Sequence, residues 1–276
     1  CITYPRALST AEGKSAVNVS SRNDGTTFAS YWLYKAMPEW RRVPKVVRNQ
    51  MLEEFAQTLY ERAGELTLRG AYSLTGLRAD ADIMLWLLGP SLETAQSLAV
   101  ALRKTGMGSY LQNVYAYTGV VSPSRYAPEH RPAFTKGEPP RTYLCMYPFS
   151  KTQEWYLLPF ERRRTMMAEH GRLGAVHSAL PEVRIAVASD RDGDAAVAVA
   201  EAPPAVPVGS VLANTVHAFG LGDHEFVVAF ESEDPVAIER MVEDLRSAEV
   251  RRYTATDTPI FLGRRKEPLA VLEDLS

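Results

Sequence analysis

Cysteine is nearly absent: the chain has two, Cys1 and Cys145, too few for a disulfide framework, and no Cys-x-x-Cys or Cys/His spacing of a zinc site. It also lacks an excess of either charge. Thirty-one Lys and Arg against 33 Asp and Glu give a net charge of −2, which removes the electrostatic case for nucleic acid or an anionic membrane surface as partner. No run approaches the roughly 18 apolar residues of a membrane span, and no charged-then-apolar leader opens the chain. Also missing are a glycine loop for nucleotide phosphates, Gly-x-Ser-x-Gly and His-Glu-x-x-His. What is present is ordinary globular composition, 46% apolar and 23% charged over 276 residues, enough for one large domain or two smaller ones. The cysteine usage fits a reducing cytoplasm. Cys1 without a preceding Met reads as truncation or processing, with a lipidated terminus as the alternative. Cys145, in the apolar run Tyr143–Tyr147, reads as a buried structural thiol.

Residues 1–27 are polar and without period, and read as a tail or an arm lying on another surface. From Phe28 the pattern changes. Phe28–Met37 is aromatic-rich and strand-like; Pro44–Ala63 places Val47, Met51, Leu52, Phe55 and Leu59 on a helical stripe. Leu66–Leu74 and Asp80–Leu88 read as strands around a Gly-containing turn, Ser91 as the cap of a helix to Lys104, and Tyr110–Val121 as a strand. That order, β-α-β-β-α-β, is the ferredoxin-like unit. It recurs with a strand at Arg141–Pro148, a helix at Pro159–Leu173, a strand pair at Val211–Gly220 and Glu225–Glu231, a helix at Pro235–Ser247 and a strand at Val250–Phe261. A faint echo supports duplication: Gly76-Leu77, Asp82, Trp86 and Leu102-Arg103 line up with Gly220-Leu221, Asp223, Phe230 and Leu245-Arg246, one residue apart in spacing.

The expected fold class is therefore α+β, two tandem ferredoxin-like repeats forming an intrachain dimeric α/β barrel. The divisions are a tail (1–27), a first repeat (28–122), a linker (123–140), a second repeat (141–266) interrupted by an insertion (175–209), and a C-terminal tail (267–276). Within the insertion, residues 183–201 alternate about an Asp/Gly turn and read as a hairpin. The turn itself, Asp190-Arg-Asp-Gly-Asp194, lacks the spacing of a calcium loop.

Five histidines can be weighed singly. His170 ends a helix just before Gly171, where it could complement the helix dipole or, held on a rigid helix over a sheet, serve as an axial ligand to porphyrin iron. His130 lies on the link between repeats, where loops present functional groups. His177 and His224 read as turn residues facing water and His217 as a strand residue; spacing alone does not choose among the five.

The stretch around Tyr147 is more specific. Tyr147-Pro148-Phe149-Ser150-Lys151, Glu154-Trp-Tyr-Leu-Leu-Pro-Phe-Glu161 and Met166-Met-Ala-Glu-His-Gly171 together resemble the coproheme decarboxylase family, within the chlorite dismutase-like haem proteins. Gly76-Leu-Arg-Ala-Asp-Ala-Asp82, His130-Arg-Pro-Ala-Phe134 and Glu249-Val-Arg-Arg-Tyr253 extend the resemblance, which covers roughly 28–174 and 208–266. The family's fold is the tandem barrel already read from the pattern.

The resemblance implies an enzyme that uses hydrogen peroxide to remove two propionate carboxyls from iron-coproporphyrin III (coproheme), leaving haem b, at the end of coproporphyrin-dependent haem biosynthesis. It implies His170 as proximal iron ligand, Tyr147 as the tyrosine whose radical takes hydrogen from the propionate chain, and His130 as the distal histidine of one branch. It places Lys151 and Arg246 near propionates and Trp155 near the porphyrin. Ala213 falls where another branch has a distal glutamine and chlorite-degrading relatives an arginine, which weighs against chlorite decomposition. Coproheme and peroxide as substrates, a homopentamer and transient contact with the coproporphyrin ferrochelatase are also implied. The 35 or so inserted residues depart from the family pattern close to the proximal face. The alternatives are a haem b peroxidase-like or chlorite-decomposing relative, a non-catalytic haem carrier of the same fold, and a barrel without cofactor.

Overall fold

The computed structural model describes residues 26–61, 65–127, 130–178 and 211–276. The polar tail before residue 26 and the expected hairpin and Asp-rich turn within 183–201 lie outside the described residues.

The first half runs β1 (Phe28–Ala36), α1 (Lys45–Glu61), β2 (Thr67–Ser73), β3 (Ile83–Gly89), α2 (Leu92–Lys104) and β4 (Leu111–Val120). Its strands pair antiparallel in the order β4-β1-β3-β2. Both faces of β1 are covered, as its near-continuous apolar sequence requires. Ala29, Tyr31 and Leu33 point into one core, and Trp32 and Tyr34 into another beneath α1 and α2. Ser91 caps α2, its side chain accepting from the backbone N–H of Thr94.

The second half runs β5 (Tyr143–Lys151), a short α3 (Gln153–Leu157), α4 (Phe160–His177), β6 (Val211–Ala213), β7 (Val216–His217), β8 (Phe226–Ser232), α5 (Pro235–Arg246), β9 (Thr254–Thr256), β10 (Phe261–Lys266) and α6 (Pro268–Glu273). β10, β5, β8 and the β6–β7 pair repeat the first half's order. Two seams join the halves: β2 pairs with β10, from Ser73↔Arg264 to Ala71↔Lys266, and β4 pairs with β7 at Val120↔His217. The sheet thus closes as an eight-stranded antiparallel barrel, counting β6 and β7 as one strand. Its interior is filled by Tyr31, Trp86, Met84, Leu144, Met146, Ala229 and their neighbours. The tandem ferredoxin-like barrel expected from the element order is the observed fold.

Both turns of the internal echo carry a left-handed glycine, Gly76 at φ 79° and Gly220 at φ 73°, a conformation other L-residues adopt only with strain. Three elements differ from expectation. α4 does not stop at Gly171 but passes through it and Gly174 to His177, so His170 lies two turns inside the helix and the first residues assigned to the insertion are helical. Val250–Phe261 is not a continuous strand. Glu249–Tyr253 forms a 3-10 turn that buries Val250, β9 follows, and only β10 closes the barrel. Beyond it the residues expected as a tail form α6, whose Val271 and Leu272 are buried in the first-half core.

Candidate functional site

On the second half, β5 sends Leu144 and Met146 into the barrel. Tyr143, Cys145, Tyr147 and Phe149 point to the outer face, beside Val211, Ala213, Val228 and Phe230. The corresponding face of the first half is sealed by α1, which buries Leu52, Phe55, Ala56 and Leu59 among strand residues such as Trp32, Ile83 and Leu85. α4 behaves differently. Met166 is its one buried residue, and it packs on Trp155, Ala248 and Val250 rather than on the strands. Ties near its surface hold it: His177 Nε2 to Asp244 at 2.6 Å, the Glu249 N–H donating to Glu169 at 3.2 Å, and Arg162 to Glu249 at 3.7 Å. α4 therefore stands as one wall beside an apolar sheet face that it does not fill.

His170 follows Met166 by one turn and shares its face. Burial, reinforced by the nearby positive charges of Lys151 and His130, pushes its pKa down to about 4. The ring is neutral at physiological pH, and Nδ1 is buried with no hydrogen-bond partner. A neutral imidazole with an orphaned, buried nitrogen fits the requirement of an iron ligand. No cluster of three or more metal-ligating side chains exists among the described residues, so a metal held at His170 would have at most two protein ligands from such side chains and would need a chelating ring for the rest. On this count the residues fit an iron porphyrin.

Tyr147, partly buried, packs edge-on to Phe230 at 6.2 Å. Burial raises its pKa well above the ordinary phenol value, against the opposing fields of Arg246 and Arg251, so the hydroxyl keeps its proton. Four residues on along the strand, Lys151 places its ammonium 4.9 Å from the rings of both Phe149 and Trp155. Burial, then repulsion from Arg251, brings its pKa down to about 8 against the pull of Glu225. Trp155 is buried between Tyr126 and Tyr253. Arg246, at the end of α5, pairs with Asp257 at 2.8 Å, and Arg251 pairs with the same oxygen at 3.0 Å. His130 is exposed on the linker, its N–H bonded to Ala127 O at 3.0 Å, and lines a narrow cleft with Ala133, Ser178 and Ala213.

All six residues singled out from the sequence thus gather on one side of the second half. His170, Lys151 and His130 are coupled electrostatically, as are Tyr147, Arg246 and Arg251. Arg251 was missed as a site residue although it lies inside Glu249-Val-Arg-Arg-Tyr253. Its signal was its place five residues beyond Arg246, which has meaning only once the 3-10 turn folds it back on Asp257. His177, expected to face water in a turn, instead ends α4 and is tied to Asp244.

Fold and site together define a dimeric α/β barrel protein whose second half sets a helix bearing a buried histidine beside a sheet face bearing Tyr147, with Lys151, Arg246 and Arg251 close by. Residues 48–189 and 204–266 match the family described as chlorite dismutase, and the chain belongs to that family. It is 35% identical over 220 residues to the coproheme decarboxylase of Mycolicibacterium smegmatis, covering 79% of this chain and 82% of that one. To the coproheme decarboxylase of Staphylococcus carnosus it is 25% identical over 248 residues, covering 82% and 86%. The structure of a chlorite dismutase variant from Candidatus Nitrospira defluvii superposes with a TM-score of 0.73 at 20% identity, covering 90% of this chain and 94% of that one.

Proposed function

We propose that this chain is a hydrogen peroxide-dependent coproheme decarboxylase that converts iron-coproporphyrin III to haem b. The observation that carries the reading is His170, neutral and with an unpartnered buried nitrogen, on a helix whose one buried side chain packs away from the strand face that bears Tyr147. Two relatives of that name support it, one of them 35% identical.

When bound, the iron porphyrin supplies the peroxide-driven oxidising chemistry. His170 would hold the iron as a neutral donor. Lys151, Arg246 and Arg251 receive propionate carboxylates, for which coproheme needs more cationic partners than haem b does. Trp155, against which the Lys151 ammonium rests, would border the bound ring. Tyr147, protonated at rest, gives up its hydrogen atom and then takes one from the propionate side chain; fixing its oxygen on a strand makes that transfer intramolecular in effect. His130 would take a proton from peroxide and return it to the departing oxygen, a transfer that suits an imidazole because one ring nitrogen can accept a proton and later give it back. The overall balance per propionate is loss of carbon dioxide, one proton and two electrons to leave a vinyl group, while one hydrogen peroxide takes up those two electrons, that proton and one further proton from solvent to become two waters.

The fold matches alone would equally suit chlorite decomposition, but at 20–21% identity they speak only to the fold. Ala213, a methyl group in the cleft shared with His130, offers nothing to polarise chlorite. We further propose a cytoplasmic homo-oligomer, a pentamer by family resemblance, in transient contact with the ferrochelatase that supplies coproheme. The exposed apolar side chains of Leu157, Phe219 and Leu221 support self-association. No helix among the described residues is long and apolar enough to cross a membrane.

The test is a peroxide titration of the protein loaded with ferric coproheme, followed by mass. Stepwise loss of two carboxyls is expected, abolished in Tyr147→Phe with coproheme affinity kept within a few-fold. Intact coproheme after excess peroxide, or full turnover by the variant, overturns the reading.

A further inference from the structure

A buried polar network that the reaction above does not use fastens the linker to the barrel. Glu231 on β8 points inward with its side chain fully buried, and Arg69 on β2, 4% exposed, donates to it through Nη2 at 2.6 Å and Nε at 3.2 Å. The same carboxylate accepts from Asn214 Nδ2 at 3.0 Å and from the backbone N–H of Arg141 at 3.2 Å. Two arms reach from it to the linker. Arg69 Nη1 donates to the Glu138 carbonyl at 2.6 Å, and Asn214 Oδ1 accepts from the Phe134 N–H at 2.9 Å. The Phe134 ring is buried edge-on to Trp86 at 5.8 Å, so the linker is pinned at its backbone and its side chain together.

Asn214, fully buried, stands at the junction. It follows Ala213, which lines the same cleft as His130, and its bond to Phe134 ties the linker to that wall. The carboxamide does both jobs at once and is long enough to span them, its Oδ1 accepting from a backbone N–H while its Nδ2 donates to a buried carboxylate. A buried ion pair is a poor source of net stability compared with apolar packing, so a network of this kind is better explained by the register it enforces.

We propose that Asn214 is a positioning residue. Its amide clamps the linker through Phe134 against the β6–β7 wall, and thereby presents His130 to the cleft beside Ala213. The inference rests on the reading in which His130 handles the peroxide proton, and extends it by naming what holds that histidine in place.

The experiment is a double-mutant cycle on full-length, coproheme-loaded protein, reading the second-order rate constant for peroxide by stopped flow from pH 5 to 9. His130→Ala is expected to slow the reaction by about 100-fold near neutral pH and to flatten its pH profile. Asn214→Ala should lose about 10- to 100-fold with the same flattening, and coproheme affinity should change by no more than a few-fold. The double variant should be no slower than His130→Ala alone, because a residue acting only through the histidine has nothing left to act on. Asn214→Ser, polar but too short to bridge both partners, covers the case in which the alanine variant fails to fold, and should behave alike. Additive losses, or an Asn214 variant with normal rate and profile, overturn the inference while leaving the His130 reading intact. A His130→Ala enzyme of normal rate removes that reading and the inference with it.

Discussion

Lys151 shows how one residue's surroundings set a measurable property of the whole reaction. Its ammonium sits over two aromatic rings with Arg251 nearby, and burial with that repulsion lowers its pKa to about 8. The sign follows directly. The charged form prevails below pH 8 and is lost above it, and a carboxylate ligand prefers the charged form, so above pH 8 binding must first take up a proton. Coproheme affinity of the free protein should therefore be level between pH 6 and 7.5 and weaken towards tenfold per pH unit beyond 8, reaching roughly tenfold at pH 9. Lys151→Arg, which stays charged throughout, should flatten that limb. Equal wild-type affinity at pH 7 and 9, measured by the Soret titration, would remove Lys151 from the carboxylate-binding set. Tyr147, Lys151, Trp155 and His170 were legible as candidates because the segment from Tyr147 to Gly171 is contiguous and carries the densest resemblance to the family, whereas spacing alone did not single them out. Arg251, Asp257 and Asn214 were not, since each matters through a partner far away in the chain or folded back by an irregular turn.

At the scale of the element, the two helices in equivalent positions differ in what they cover. α1 buries four apolar side chains and α4 one, so the same topological slot is a core lid in one half and a pocket wall in the other. A helix held by surface ion pairs and a single buried methionine opens locally at little cost. In the ligand-free protein, amide hydrogens of α4 should exchange faster than those of α1, and coproheme binding should slow α4 selectively, because the ring then supplies the apolar contacts. Equal protection of α1 and α4 without ligand, by hydrogen-exchange mass spectrometry, would contradict this account. α4 is also where local signals misled. Gly171 and Gly174 are weak stops, costing about 1 kcal/mol each against alanine, and the ties at Glu169 and His177 carry the helix past both. The 3-10 turn at Glu249–Tyr253 resembled the start of a strand because Val250 and Tyr253 are apolar, and periodicity does not separate a single tight turn from extended chain.

For the whole molecule, duplication was legible and its register was not. The aligned pair Trp86 and Phe230 fall ten residues after Gly76 and Gly220, yet Trp86 points into the barrel and Phe230 to the outer face. A one-residue slip between the repeats flips every strand side chain, which is why the echo was faint and its spacing uneven. Closure itself left no local trace, since the β2–β10 and β4–β7 seams join residues far apart in the chain. The C-terminal segment has the same character. α6 sends Val271 and Leu272 beneath α1, and Lys266 at the end of β10 bonds both oxygens of Asp274, at 2.8 and 2.6 Å. The last residues of the second half thus complete the core of the first. Truncating a fully buried leucine removes transfer energy and leaves a cavity, so Leu272→Ala should cost about 2–4 kcal/mol of unfolding free energy in denaturant melts. Asp274→Ala, which breaks a partly exposed pair with Lys266 and a hydrogen bond from Ser73, should cost about 1 kcal/mol. Because the affected core lies in the half opposite the proposed site, Leu272→Ala should leave coproheme affinity within about twofold at temperatures where the chain is folded. A loss of binding as large as the loss of stability would mean that the two halves do not hold their cores independently.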